Sequence, residues 1–193
     1  MIVQLQNLAD IRSRHQNEKI VLTVGTFDLL HVGHLRYLKA VKALGDIVVV
    51  MISSDDRVKA RKGPQRPIIR ETNRAQVLDE LKMVNYVFID PAKSLPTVVD
   101  PVHAQIAAEL QPDICVADGA IDPRFKDVID SDKFRIITLK RDKGYPAITS
   151  DEAASTSAII SHIIESKRLS ASDDRDAPLQ NSLVSPLIKF SDK

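Results

Sequence analysis

The run Ile47-Val48-Val49-Val50-Met51-Ile52, entered from Asp46, carries no polar residue on either of its two alternating faces. A strand with one wet face alternates apolar and polar residues, so this one must be covered on both sides. That is the situation of a parallel sheet sandwiched between helices. Shorter strand-like runs follow the same rule: Ile20 to Val24, Tyr86 to Asp90, Asp113 to Gly119 and Phe134 to Leu139. Between them lie helical patterns: residues 4–16, a helix ending near Leu44-Gly45, Arg70 to Met83, Val102 to Leu110 and a brief helix from Asp122 to Val128. Strand and helix alternating at this spacing imply right-handed βαβ units. The expected fold is α/β: a Rossmann-like, doubly wound parallel sheet with helices on both faces.

The first crossover holds the chemistry. Gly25-Thr26-Phe27-Asp28-Leu29-Leu30-His31-Val32-Gly33-His34 joins the Ile20 to Val24 strand to a helix whose apolar stripe is Leu35, Leu38, Val41 and Leu44. Gly25 suits a tight turn, and Gly33 suits close approach of a ligand to the backbone between two histidines. The start of a helix presents unpaired N–H groups and positive potential, which favour phosphate. His31 and His34, three positions apart, can both face that place as donors or as cations.

Two further stretches fit phosphate. Lys59-Ala60-Arg61-Lys62-Gly63-Pro64-Gln65-Arg66-Pro67 reads as an irregular, stiff basic loop in which Lys62, with Lys59 or Arg61, supplies positive charge. Ser155-Thr156-Ser157, before the helical run Ala158 to Ile164, offers hydroxyls and amides at another helix start, or simply caps it. These are the parts needed for in-line phosphoryl or nucleotidyl transfer, where positioning and neutralisation of charge do most of the work. No protein nucleophile stands out, which favours direct attack by a substrate phosphate. A P-loop and a dinucleotide fingerprint are both excluded by the glycine spacing. No further cysteine or carboxylate cluster has the spacing of a zinc site, so no protein-held metal is expected.

Composition narrows the classes. The net charge of +1 argues neither for nor against nucleic acid, but the absence of tryptophan, with 4% aromatic residues, leaves little for base stacking, so nucleic acid is not an expected partner. The single cysteine, Cys115, rules out an intrachain disulfide and reads as buried filler in a strand. No apolar run is long enough to span a membrane and no secretory leader is read, so the expected location is cytoplasmic, without membrane association.

The motif Gly-Thr-Phe-Asp followed by His31-Val32-Gly33-His34 resembles the signature of the cytidylyltransferase-like nucleotidyltransferase superfamily, whose hallmark is His-x-Gly-His. Ser54-Asp55, Lys62-Gly63, Arg66-Pro67 and Arg74 fall in family order. The nearest resemblance is to the adenylyltransferase domain of bacterial ADP-heptose synthases, over roughly residues 1–167. Residues 168–193 then form a polar extension, disordered or an interface arm. The resemblance implies that His31, His34 and Lys62 are catalytic. It also implies that Gly25, Thr26, Phe27, Asp28, Gly33, Arg74, Asp118, Gly119, Ser155, Thr156 and Ser157 line the nucleotide and phosphate site, with Asp28 orienting the site or its metal.

The implied reaction moves AMP or CMP from ATP or CTP to a phosphorylated sugar or polyol, with Mg2+ on the nucleotide and pyrophosphate released; ATP is favoured. The partners are thus an NTP and a small phosphorylated acceptor, with a homodimer compatible with the apolar Leu183, Val184, Leu187 and Ile188 of the tail. Two alternatives share the turn: an FAD synthetase-like enzyme acting on FMN, and a nucleotide-binding protein without turnover. Two departures mark the acceptor side. Ala117-Asp118-Gly119-Ala120-Ile121 stands where the heptose enzymes usually have Lys-Gly-Gly-Asp-Tyr, and the stretch from Pro91 to Ala108 is longer than expected.

Overall fold

The computed structural model describes residues 1–92, 101–118, 135–139 and 156–173. By Cα proximity the chain divides into two compact units, Met1–Thr156 and Ser157–Lys193.

In the first unit a 3-10 turn, Leu5–Asn7, leads into α1 (Leu8–Arg14). Then come β1 (Ile20–Gly25), α2 (Val32–Lys42), β2 (Ile47–Ile52), α3 (Asp55–Lys62) and α4 (Glu71–Asp79). β3 (Tyr86–Ile89), α5 (Pro101–Leu110), β4 (Ile114–Asp118) and β5 (Arg135–Leu139) complete the sheet. All five strands are parallel, in the order β3-β2-β1-β4-β5. The doubly wound expectation therefore holds.

Alternation along the strands divides the core into two layers. Ile20, Leu22, Val49, Met51 and Phe88 pack with Leu8 and Ile11 of α1 and Ile106 and Leu110 of α5. Val21, Val48, Val50, Ile52 and Val87 face the other way, onto Leu38 and Val41 of α2 and Ala75 and Leu78 of α4. Every residue of β2 is buried, as its unbroken apolar run requires. A buried polar link ties α2 to the sheet: the Thr23 and Tyr37 hydroxyls meet, and each reaches the Val116 carbonyl (3.2 and 3.3 Å).

Two expectations need correction. The basic segment is not irregular throughout, because Lys59, Arg61 and Lys62 end the helix α3. Asp55 and Asp56 occupy its first turn and the cations its last, in accord with the helix dipole, and Gly63 stops it at φ 93°. The irregular part begins at Gly63. The helix expected over 70–83 ends at Asp79. Its inward face is Arg74, Ala75 and Leu78, while Val77 is 48% exposed. The brief helix over 122–128 lies outside the described residues.

The second unit contains the helix α6, which begins at Thr156 in the first unit and runs to Asp173. Its Ile163 and Ile164 are about half exposed.

Candidate active site

The strand order reverses direction between β1 and β4, and the crevice at the carboxyl ends of strands beside such a switch point is where ligands of open α/β sheets bind. The turn from Gly25 to His31 sits there. Its backbone is strained: Phe27 and Leu29 hold φ of 50° and 47°, a left-handed region that costs a side-chain-bearing residue about 1 kcal/mol or more.

Asp28, between the two, supplies the restraint. It is 1% exposed and accepts hydrogen bonds from Arg66 Nε (2.9 Å), Ile68 N (3.0 and 3.1 Å) and Ile69 N (2.9 Å). Burial alone would raise its pKa. The two backbone N–H groups, with the charge and hydrogen bond of Arg66, outweigh it and hold the carboxyl below the usual value of 3.8. Asp28 thus fastens the turn to the segment after α3. These bonds fit the first of the two roles expected for Asp28, orienting the site rather than a metal.

Arg74 is 2% exposed. Its guanidinium donates to the carbonyls of Ile69 (2.9 Å), Thr26 and Ser53 (2.8 Å) and to Asp55 Oδ1 (2.8 Å). It therefore braces the backbone of the turn against the end of β2. Asp55 and Glu71 add a reciprocal clamp between the starts of α3 and α4: Asp55 N donates to Glu71 Oε2 (2.6 Å) and Glu71 N to Asp55 Oδ1 (2.9 Å).

Gly25 is needed for packing rather than for a left-handed turn. A Cβ there would lie 2.6 Å from Cε2 of the Phe27 ring. That ring in turn contacts His34 (centroids 5.2 Å apart) and Tyr37 (6.3 Å).

His31 and His34 are brought together as expected. Their rings stack with centroids 3.8 Å apart and planes 28° from parallel. His31 caps α2, and its Nδ1 accepts from Gly33 N (3.1 Å). In the neutral ring the proton must then sit on Nε2, which is left as the donor. The first turn of α2 keeps its amides for itself: His34 N donates to the His31 carbonyl (2.9 Å). The positive end of the helix is therefore presented through the His31 ring more than through bare Gly33 and His34 amides.

Thr156 joins the same turn, its hydroxyl donating to the Asp28 carbonyl (2.7 Å) across 128 residues of sequence. Ser155 and Gly119 lie outside the described residues, Asp118 is the last residue of β4, and Ser157 belongs to the second unit. Lys62 is the exposed final residue of α3. Its neighbour Arg61 reaches the turn, Nη2 donating to Thr26 Oγ1 (2.8 Å).

Sequence reasoning missed the network around Asp90. Buried Asp90, following β3, pairs with Arg57 Nε (3.1 Å) and His103 Nε2 (3.1 Å) and accepts from Ala92 N (2.9 Å). No local pattern announces it, because its members come from three separate segments. Among the described residues no group of three His, Cys, Asp or Glu side chains could hold a metal. Among the same residues no helix is long and apolar enough to cross a membrane.

Comparison with known proteins agrees with this geometry. The family model described as cytidylyltransferase-like matches residues 22–164. The Bifunctional protein HldE of Helicobacter pylori (strain J99 / ATCC 700824) is 40% identical over 162 residues, covering 84% of this chain and 31% of that protein. The protein of the same name from Syntrophotalea carbinolica is 36% identical over 121 residues, 61% of this chain and 23% of that one. This chain thus spans less than a third of the length of these relatives. The solved pantoate-beta-alanine ligase of Francisella tularensis is 17% identical with a TM-score of 0.50, covering 73% of this chain and 67% of that one, a likeness of fold alone. With His-x-Gly-His at the start of α2, on a five-stranded parallel sheet, the chain belongs to the cytidylyltransferase-like family.

Proposed function

We propose that this chain is a nucleotidyltransferase that joins AMP or CMP to a phosphorylated sugar or polyol. A phosphomonoester oxygen of the acceptor attacks the α-phosphorus of the NTP in line. The bond from that phosphorus to the α–β bridging oxygen breaks, and pyrophosphate leaves with the electron pair. The stacked His31 and His34 pair, fixed to a restrained turn at the switch point, carries the reading.

The chemistry needs donors held where charge develops, and preorganised donors are the largest single contribution to such reactions. Gly33 N–H polarises His31 Nδ1 and so strengthens Nε2 as a donor to a phosphate oxygen. The Phe27 ring and the His31 ring hold His34 between them, fixing its orientation for the transition state. Lys62 would bind the remaining phosphate oxygens, with Ser155, Thr156, Ser157, Asp118 and Gly119 assigned to the nucleotide by resemblance. Mg2+ bound to the nucleotide would neutralise the β- and γ-phosphates.

The resemblance to ADP-heptose synthases and the HldE relatives favour ATP and a sugar phosphate. The test is pyrophosphate release with magnesium, crossing ATP and CTP with sugar 1-phosphates, glycerol 3-phosphate, phosphoethanolamine and FMN. One productive pair with a sugar or polyol phosphate is the expected result. Turnover with FMN alone, or nucleotide binding without any pyrophosphate release, would overturn it. A cytoplasmic location and a homodimer, both expected from the sequence, belong to the same proposal.

A further inference from the structure

The cations around the turn are not equivalent. Arg66 is neutralised by Asp28, Arg74 by Asp55, Arg57 by Asp90, and Lys59 by Asp56 at 3.5 Å on the exposed face of α3. Arg61 differs. Among the described residues no carboxylate pairs with it, and its hydrogen-bond partner is the neutral Thr26 hydroxyl of the turn. Arg61 is an exposed residue whose hydrogen bond to Thr26 is part-buried, which places its guanidinium beside the Gly25 to His31 turn. A guanidinium whose partner is a neutral hydroxyl keeps its charge uncompensated, which favours an anion beside it. Burial first, and then the positive charge of Arg57, hold the Arg61 pKa below the usual guanidinium value. The guanidinium remains charged and has further N–H donors beyond the one on Thr26, in the planar fork that suits phosphate.

The geometry points to Arg61 as a direct phosphate ligand of this site, held ready by Thr26 and completed by an oxyanion of one of the two phosphorylated substrates. This deepens the proposed function and rests on it for the identity of those substrates. It also separates Arg61 from Lys59 at the same helix end, whose charge Asp56 meets on the outer face.

A purely structural Arg61, capping the negative end of α3 and bonding Thr26, would affect melting without affecting phosphate. The experiment therefore measures both, on the full chain. Wild type, Arg61→Gln and Arg61→Lys are titrated calorimetrically with Mg-ATP, with inorganic pyrophosphate and with inorganic phosphate, alongside thermal melts. Arg61→Gln should weaken at least one probe by about 10- to 100-fold, the scale of a lost charged hydrogen bond, and Arg61→Lys by roughly 5- to 10-fold. Loss for ATP and pyrophosphate places Arg61 on the triphosphate; loss confined to inorganic phosphate places it on the acceptor.

Wild-type affinity for all three probes in Arg61→Gln overturns the inference, whatever happens to melting. If that variant does not fold, unchanged affinities in Arg61→Lys do the same, and so does a wild type that binds none of the probes. The two readings fail separately. Arg61-dependent pyrophosphate binding without turnover in the acceptor panel would refute the transferase reading alone. Turnover with binding indifferent to Arg61 would refute this inference alone.

Discussion

Arg74→Met tests whether Arg74 is a brace or a phosphate ligand. Methionine fills similar volume with no donor, so the substitution leaves the carbonyls of Thr26, Ser53 and Ile69 and the Asp55 carboxylate short of a partner in a site where Arg74 is 2% exposed. Breaking a buried pair from one side costs about 3–5 kcal/mol. At about 2–4 °C per kcal/mol for a chain of this size, the melting midpoint should fall by about 6–20 °C. Arg74→Lys keeps the charge but cannot span carbonyls on both sides, so it should lose at least half as much. Differential scanning calorimetry, with urea unfolding as a check on the free energy, reads both variants. If both melt within about 2 °C of wild type while ATP affinity drops, Arg74 is a phosphate ligand and the bracing account is wrong.

Other expectations follow from the same turn. Gly25→Ala should displace the Phe27 ring, which a Cβ would approach to 2.6 Å, costing about 1–3 kcal/mol and lowering turnover about tenfold or more through His34; unchanged kinetics would mean that the ring does not orient the histidine. Asp28 has a folded pKa below its unfolded value of 3.8. Its contribution is therefore fully present above about pH 4 and is lost as pH falls through the lowered folded value. Asp28→Asn should be less stable by about 3 kcal/mol at pH 7 and show a flatter acid branch in urea titrations; parallel acid branches would refute the assignment. Burial pushes the Cys115 thiol up to about 12, so native protein at pH 8 should resist a thiol reagent until urea is added, and prompt labelling would contradict its buried place in β4.

What could be read from the sequence was local. The unbroken apolar run of β2 demands cover on two faces, and Gly25 to His34 marks a strand-to-helix crossover within ten residues. The stacked histidines follow from their spacing at the start of α2. What could not be read depends on distant partners. Arg74 reaches a carbonyl 48 positions away and Asp28 binds amides 40 and 41 positions away, separations that periodicity does not register. The helix α3 was hidden for another reason. Its last turn is rich in lysine and arginine and followed by Gly63, Pro64 and Pro67, so the breakers dominated the reading. Ser54 at the cap position, Asp55 and Asp56 in the first turn and Gly63 after the last were the signals that mark it as helical.

The central claim is that the histidine pair at the start of α2 stabilises charge during nucleotidyl transfer. The most direct measurement compares pyrophosphate release by the wild type and by His34→Ala, with the productive substrate pair and melting recorded in parallel. The account predicts a variant that melts close to the wild type and turns over roughly 10²-fold or more slowly. Normal turnover in a folded His34→Ala protein would contradict it.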